Sequence, residues 1–258
     1  MRHGETNFNK NKEIYRRSNP SFIDCKLNRK GIKQAISKQK ILNSLNLEQV
    51  YVSPFYRALQ TLTYSLKNYP NKNNITAIVH PFVSEISNCV NDYILDIKQT
   101  KNDFNMNSTI KIDWTLFDEY VKTIKYDENF YYFDFLDCFN EKEKNEVYLK
   151  IKNYYDKGDI NNLKMGLVNL SDLRFKKKIR FESLKHAQER FIQFSKYILK
   201  KHKNSLDNNN KKIFVFSHSS FMTVVSNMTR YSSKKVQRFN KGYGPKNCEI
   251  ICFPLALY

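Results

Sequence analysis

An α/β fold with a mostly parallel sheet is predicted by three features of this 258-residue sequence. Short apolar runs (QVYV, ITAIV, KIFVF) alternate with segments of helical period. The run KIFVFSH is continuously apolar, as in strands buried on both faces of a parallel sheet. Hydrophobic residues make up 41% and aromatics 14%, a globular composition that can fill one large core or two small ones.

The elements follow in order. Ile32, Ala35, Ile36, Ile41 and Leu42 recur at helical spacing and predict an amphipathic helix from Lys30 to Leu45. Gln49 to Val52 reads as a short buried strand. Ser53 then offers a cap and Pro54 a first helical position, for a helix ending near Leu66. Ile75 to Phe82 is a second strand, closed by Pro81. Residues 88–148 are rich in Asn, Asp, Tyr and Phe, with helical spacing only around Trp114 to Ile124. Together with the stretch to Arg180 they are expected to form an insertion or cap. Phe181 to Lys203 is the clearest helix, with Leu184, Ala187, Phe191, Phe194 and Ile198 on one face. Ile213 to Phe216 is a buried strand, SSFMTVVSNMT a helix, and Cys248 to Phe253 a final strand.

The formal net charge of +19 permits an anionic partner. The cations are scattered, however, and runs such as KNKNN and DNNNKK read as solvated loops. The abundance of Lys, Asn, Ile, Tyr and Phe is what an A/T-rich coding sequence gives. No compact basic element with stacking aromatics occurs, so no nucleic-acid partner is expected. No apolar run is long enough to span a bilayer, and no signal peptide is evident. Cys25, Cys89, Cys138, Cys248 and Cys252 fit neither a disulfide framework nor a zinc site, which favours a reducing, cytoplasmic setting.

The chemistry concentrates at four places. MRHGETNFN sets Arg2 beside His3. A neutral imidazole is a good nucleophile toward phosphorus, and a guanidinium fork matches phosphoryl oxygens. Gly4 would let the backbone turn tightly. A frayed tail with chance charges is the competing reading. SPFYRALQT puts Arg57 in the first turns of a helix that follows a strand, where open α/β sheets bind ligands. The alternative is a solvated helix cation. VFSHSSF puts His218 at the end of the most apolar strand, as a site residue or a satisfied core histidine. HPFVSEI puts Glu85 just after another strand, as an exposed carboxylate or as a proton donor in a cleft.

Taken jointly, RHGETNFN, DCKLNRKGIKQA, SPFYRALQT, SEI, ESLKHAQERF and FSHSS resemble the histidine phosphatase superfamily, in its phosphoglycerate mutase-like branch. They occur in the family's order over nearly the whole chain. The resemblance implies a three-layer α/β/α sandwich spanning 1–258, with 88–180 as its inserted cap. It implies His3 as the nucleophile that becomes phosphohistidine. Arg2, Arg57 and His218 would bind the phosphoryl group, and Glu85 would protonate the leaving group. Asn9 matches a phosphate contact, and Thr6 a conventional Ser/Thr position. Ser219 stands where many members carry glycine and adds a hydroxyl there. No metal or other cofactor is implied.

Departures from the family shape the expected activity. Glu85 is followed by ISNCVND, without the Arg, Tyr and Gly usual in mutases, and the only Trp is Trp114, away from its usual place. Both favour hydrolysis of a phosphomonoester, on a small molecule or a phosphoprotein, over phosphoglycerate mutase or sugar-phosphate bisphosphatase activity. A catalytically inactive binder of phosphorylated ligands is the alternative of another class. In the family a buried strand leads into RHG, and here Met1 stands at its end. Each unpaired buried amide costs roughly 1–3 kcal/mol. Several would rival a domain's net stability of about 5–15 kcal/mol. The first strand is therefore expected to be missing from this chain, with Met1 internal to a longer product.

Overall fold

A computed structural model of the chain describes residues 1–177, 181–206, 211–230 and 244–252. In chain order these form α1 (Asn7–Lys10), α2 (Arg29–Ile36), α3 (Gln39–Asn43), β1 (Leu47–Val52) and α4 (Tyr56–Ser65). There follow β2 (Thr76–Val79), α5 (Ile97–Asn107), β3 (Lys111–Asp113), α6 (Thr115–Thr123), α7 (Glu141–Asp156) and α8 (Ile160–Lys177). The last are α9 (Leu184–Leu206), β4 (Lys212–Phe216) and α10 (Ser219–Arg230). The four strands pair in parallel in the order β3-β2-β1-β4.

Strand side chains alternate between faces, and both faces are covered. Val50, Val52, Ala77, Val79, Phe214 and Phe216 pack with α4 residues such as Ala58, Leu59 and Leu62. Tyr51 and Ile78 point the other way, into Ala187, Phe191, Phe194 and Ile198 of α9 and Phe221, Val224 and Val225 of α10. The result is the expected three-layer arrangement. Fully burying one such side chain contributes roughly 1.5–3 kcal/mol.

Residues 1–3 extend the sheet beyond β4. Arg2 forms a parallel bridge with Ser217, His3 N donates to Ser217 O at 3.0 Å and Ser217 N to Met1 O at 2.9 Å. From its other side, Arg2 N donates to Glu249 O at 3.1 Å.

Several local expectations are corrected. The helix read over Lys30–Leu45 is two, α2 and α3, with Ser37 and Lys38 between them. Ile36 and Ile41 are exposed, while Ala35 and Leu42 face the core. Ser53 caps nothing: α4 begins at Tyr56, with Phe55 at its cap position. Pro54 therefore lies before the helix. Cys248 and Glu249 bond to His3 and Arg2, residues 248–252 form no strand, and Phe253 lies outside the described residues.

The span 88–180 supplies β3, an edge strand of the main sheet, as well as helices. Its centre is a 3-10 segment, Glu128–Phe135, in which Phe130, Tyr131, Tyr132, Phe133 and Phe135 are all buried. Phe133 meets Tyr126 tilted, and Phe130 and Phe133 meet Tyr148 edge-on, in the geometries that aromatic quadrupoles favour. Among the described residues no helix is long and apolar enough to cross a membrane.

Candidate active site

His3 is buried and gripped on several sides. Its N bonds to the end of β4, and its O accepts from Cys248 N at 3.3 Å and from Asn247 Nδ2 at 3.1 Å. The ring nitrogen Nδ1 lies 2.7 Å from Gly4 O. A carbonyl can only accept, so Nδ1 carries the proton and Nε2 keeps its lone pair. Burial, then the charges of Arg57 and Arg2, hold the imidazole well below its usual pKa. His3 is thus a neutral imidazole of one tautomer.

Gly4 serves clearance. A Cβ on it would come 2.6 Å from Gly31 O, so α2 packs directly on the backbone after the histidine. Gly4 N donates to Thr61 Oγ1 of α4 at 3.0 Å, and Thr61 Oγ1 donates to Arg57 O at 2.7 Å. The backbone behind His3 and the helix that carries Arg57 are therefore tied through one hydroxyl.

His218 follows β4 and is fully buried, with its ring centroid 5.2 Å from that of His3. Its Nε2 lies 2.8 Å from Ser53 Oγ. With that hydroxyl donating to Nε2, the proton of the neutral ring sits on Nδ1, which has no partner among the described residues. Burial and the Arg57 charge lower its pKa well below the usual value as well.

Arg57 is fully buried on α4. Its Nη1 donates to Asn91 O at 2.6 Å, and its Nη2 lies 3.3 Å from Asp92 Oδ1. The guanidinium sits 4.5 Å over the Phe55 ring. Arg57 Nε and Arg2 Nε, like His218 Nδ1, are buried donors without a hydrogen-bond partner among the described residues. Such donors cost roughly 1–3 kcal/mol each when left unsatisfied. Here they belong to three residues singled out for binding a phosphoryl group. Arg2 also donates from Nη1 to Pro245 O at 2.6 Å.

Glu85 lies in the loop after β2. It accepts from Ile86 N at 3.0 Å, and from Phe221 N at 3.0 Å and Ser220 N at 3.3 Å in the first turn of α10. These donors favour the carboxylate, and so does Arg57. Burial and the neighbouring Asp92 outweigh them and raise its pKa, which suits a group that must hold a proton to give away.

Residues 1–88 match the model of the histidine phosphatase superfamily, branch 1. About a third of the chain is thus similar to that family. The resemblance read in the sequence is borne out over that span. Two solved structures share the fold. One is a mycobacterial hydrolase, 10% identical with a TM-score of 0.50, the match covering 96% of this chain and 84% of that one. The other is a mycobacterial glucosyl-3-phosphoglycerate phosphatase complexed with VO3, 11% identical with a TM-score of 0.50, covering 96% and 87%. At such identities the likeness speaks for the fold alone. No curated protein matches the chain.

The matched residues 1–88 include Arg2, His3, Thr6, Asn9, Arg57 and Glu85, while His218 and Ser219 join them in space from the end of β4. Thr6 is the buried cap of α1: its Oγ1 accepts from Asn9 N and donates to Asn9 Oδ1, both at 3.2 Å. Asn9 Oδ1 also accepts from Thr6 N at 3.2 Å and from Asn247 Nδ2 at 3.3 Å. Thr6 and Asn247 thus orient Asn9, and Asn247 bridges it to the His3 carbonyl. Ser219 opens α10 and is half-buried, beside Gly244.

Ser53, Thr61, Asp92 and Asn247 escaped the sequence reading. Ser53 and Thr61 flank Arg57 in SPFYRALQT, where alternation of strand and helix gave no hint of their partners. Asp92 could have been found as the only acidic residue between Glu85 and Asp96.

Asp24 offers a test of these electrostatics. It lies 4.0 Å from Arg57 and accepts from Tyr56 N at 3.1 Å, yet burial outweighs both and raises its pKa to about 7. A raised folded pKa means stability that is full below the unfolded value of 3.8 and is lost as pH rises to about 7. Asp24→Asn keeps the acceptor and tolerates the left-handed φ of 41° found here. The variant should gain stability relative to the parent from pH 4 to 7, by on the order of 1 kcal/mol per pH unit, and level off above. Urea unfolding across that range measures the difference. A pH-independent difference would show that Asp24 is ionised throughout.

Proposed function

We propose that this chain hydrolyses phosphomonoesters through a covalent phosphohistidine on His3. The observation that supports this best is a pair of buried neutral imidazoles ringed by unsatisfied donors. His3 offers a lone pair at Nε2, while Arg2 Nε and Arg57 Nε are buried with hydrogens to give, and His218 Nδ1 joins them when the Ser53 hydroxyl donates to Nε2. Those donors would meet oxygens whose negative charge grows in the transition state.

In the first step His3 Nε2 attacks phosphorus and forms the N–P bond. The bond to the leaving oxygen breaks, and Glu85 gives that oxygen its proton. In the second, the Glu85 carboxylate takes a proton from water as the water oxygen attacks phosphorus. The N–P electron pair returns to Nε2, and inorganic phosphate leaves. Covalent catalysis thus divides one difficult displacement into two. The substrate class is a phosphorylated small molecule or phosphoprotein. A cytoplasmic location is part of the reading, supported by five free cysteines.

Glu85→Gln tests the acid. Its turnover on an alkyl phosphomonoester should fall roughly 10²–10⁴-fold, while p-nitrophenyl phosphate, whose leaving group needs little protonation, should fall far less. Equal losses on both substrates would remove Glu85 from that role.

One observation favours a binding-only relative: both Nη atoms of Arg57 are engaged, by Asn91 O and Asp92. Quenched mixtures with p-nitrophenyl phosphate separate the readings. An acid-labile, alkali-stable phosphoryl adduct supports the enzyme. Saturable binding of vanadate with neither adduct nor turnover supports the binder.

A further inference from the structure

The stretch ESLKHAQERF belongs to the family resemblance, yet none of its residues enters the chemistry above. Its arginine, Arg190, is one of the most completely buried charges in the protein, and its partner Glu182 is fully buried as well. Arg190 Nε and Nη2 donate to the two Glu182 oxygens at 2.6 and 2.9 Å. Its remaining terminus, Nη1, reaches into the loop after β2 and donates to Phe82 O at 2.8 Å and Ser84 O at 3.3 Å. The carbonyl between them, Val83 O, accepts from Ser217 Oγ at 2.6 Å. Three successive carbonyls are thereby fixed immediately before Glu85.

The guanidinium plane is confined as well. It lies 4.4 Å from the Phe135 ring and 5.1 Å from the Phe221 ring. Phe221 is also the residue whose amide donates to Glu85 Oε1. One planar cation thus touches the backbone that leads into Glu85 and the helix turn that receives its carboxylate.

We propose that Arg190, oriented by Glu182, is a positioning residue that sets the location of the Glu85 carboxyl relative to the leaving group. The inference rests on the acid role assigned to Glu85 above. A buried ion pair is weak evidence of net stabilisation, because desolvation offsets the attraction. Placement is what the fork geometry supplies. A lysine at 190 would keep the charge but could not hold a bidentate carboxylate and two loop carbonyls in one plane.

The test is Arg190→Lys in the full chain, at a temperature where circular dichroism shows each variant folded. Turnover on an alkyl phosphomonoester should fall about 10–100-fold, with p-nitrophenyl phosphate falling less than about threefold and KM unchanged for both. Combined with Glu85→Gln, the substitution should cause no further leaving-group-dependent loss. Equal losses on both substrates, or additivity with Glu85→Gln, would overturn the proposal. Glu182→Gln leaves one acceptor oxygen for Arg190 and should give the same selective loss at smaller size. The ¹³C shift of the Glu85 carboxyl, assigned by its absence in Glu85→Gln, should move in Arg190→Lys. An unmoved signal would also overturn the proposal. That reading needs no turnover, so a wild type that neither turns over nor forms an adduct would sink the enzyme reading while leaving the positioning role under test.

Discussion

His3→Ala should lose turnover by about 10⁴-fold or more, and with it the acid-labile phosphoryl adduct. In the proposed reaction the imidazole is nucleophile and, in the second step, leaving group, and the neighbouring buried imidazole, His218, has its Nε2 engaged by Ser53 Oγ at 2.8 Å. The fold should survive. The side chain makes one hydrogen bond, to Gly4 O, while the sheet contacts of residue 3 are made by its backbone. Radiolabel transfer from a ³²P-phosphomonoester, quenched in base, measures the adduct directly. Full turnover or an undiminished adduct in the variant would move the nucleophile elsewhere, with His218 the next to examine.

Arg57→Ala should be the single substitution most damaging to stability, and it should lower activity as well. Removing the cation leaves Asp92 buried among the Asn88 and Cys89 amides at 2.9 and 3.1 Å, with Glu85 close by and the opposing charge of Arg57 gone. Breaking a buried pair in this way costs roughly 3–5 kcal/mol. For a chain of this size each kcal/mol lowers Tm by about 2–4 °C, so a fall of roughly 10 °C is expected near neutral pH. The sign of its pH dependence follows from the carboxyls. Burial already raises the pKa of Asp92 and Glu85, and losing Arg57 raises both further. Groups with raised folded pKa values lose their stabilising contribution as pH rises, so the Tm deficit should be largest at pH 7–8 and shrink toward pH 4–5. Turnover should fall at least about 10²–10³-fold from the lost phosphoryl donor. A scanning calorimetry series over that range tests the first claim. A deficit that grows on acidification would mean that Asp92 is not the orphaned partner.

Much of this was legible in the sequence, for physical reasons that differ from element to element. KIFVF and QVYV could be read because strands buried on both faces show unbroken apolar runs. α9 could be read because its apolar residues repeat at helical period over several turns. The aromatic stretch Glu128–Phe135 could not, because a 3-10 segment buried all round leaves no period to detect. The break between α2 and α3 was hidden by Ile36 and Ile41, which extend an apolar stripe yet face solvent. In the candidate site, His3, Arg57, Glu85 and His218 carried their chemistry in their side chains and could be nominated. Thr61, Asp92 and Asn247 join the site through partners distant in sequence, Gly4, Arg57 and His3. Ser53 was misassigned because a serine before a helix looks like a cap until its hydroxyl is seen beside His218. The glycine after the nucleophile was recognised as necessary for the wrong reason: it is demanded by the approach of Gly31.

The contacts that hold residues 2–3 carry a consequence for the order of assembly. Their partners are Ser217, Asn247, Cys248 and Glu249, all from the far end of the sequence. Contacts of such high sequence separation are slow to form, because a long loop must close before they reward its closure. Along the chain His3 precedes β1, α4 and β2, while its supports follow β4. A growing chain can build β1, α4 and β2 while His3 is still unanchored. The candidate site therefore closes late in folding, when residues 247–249 dock against residues 2–3, and a chain truncated before residue 244 should be partly structured yet without the proposed activity.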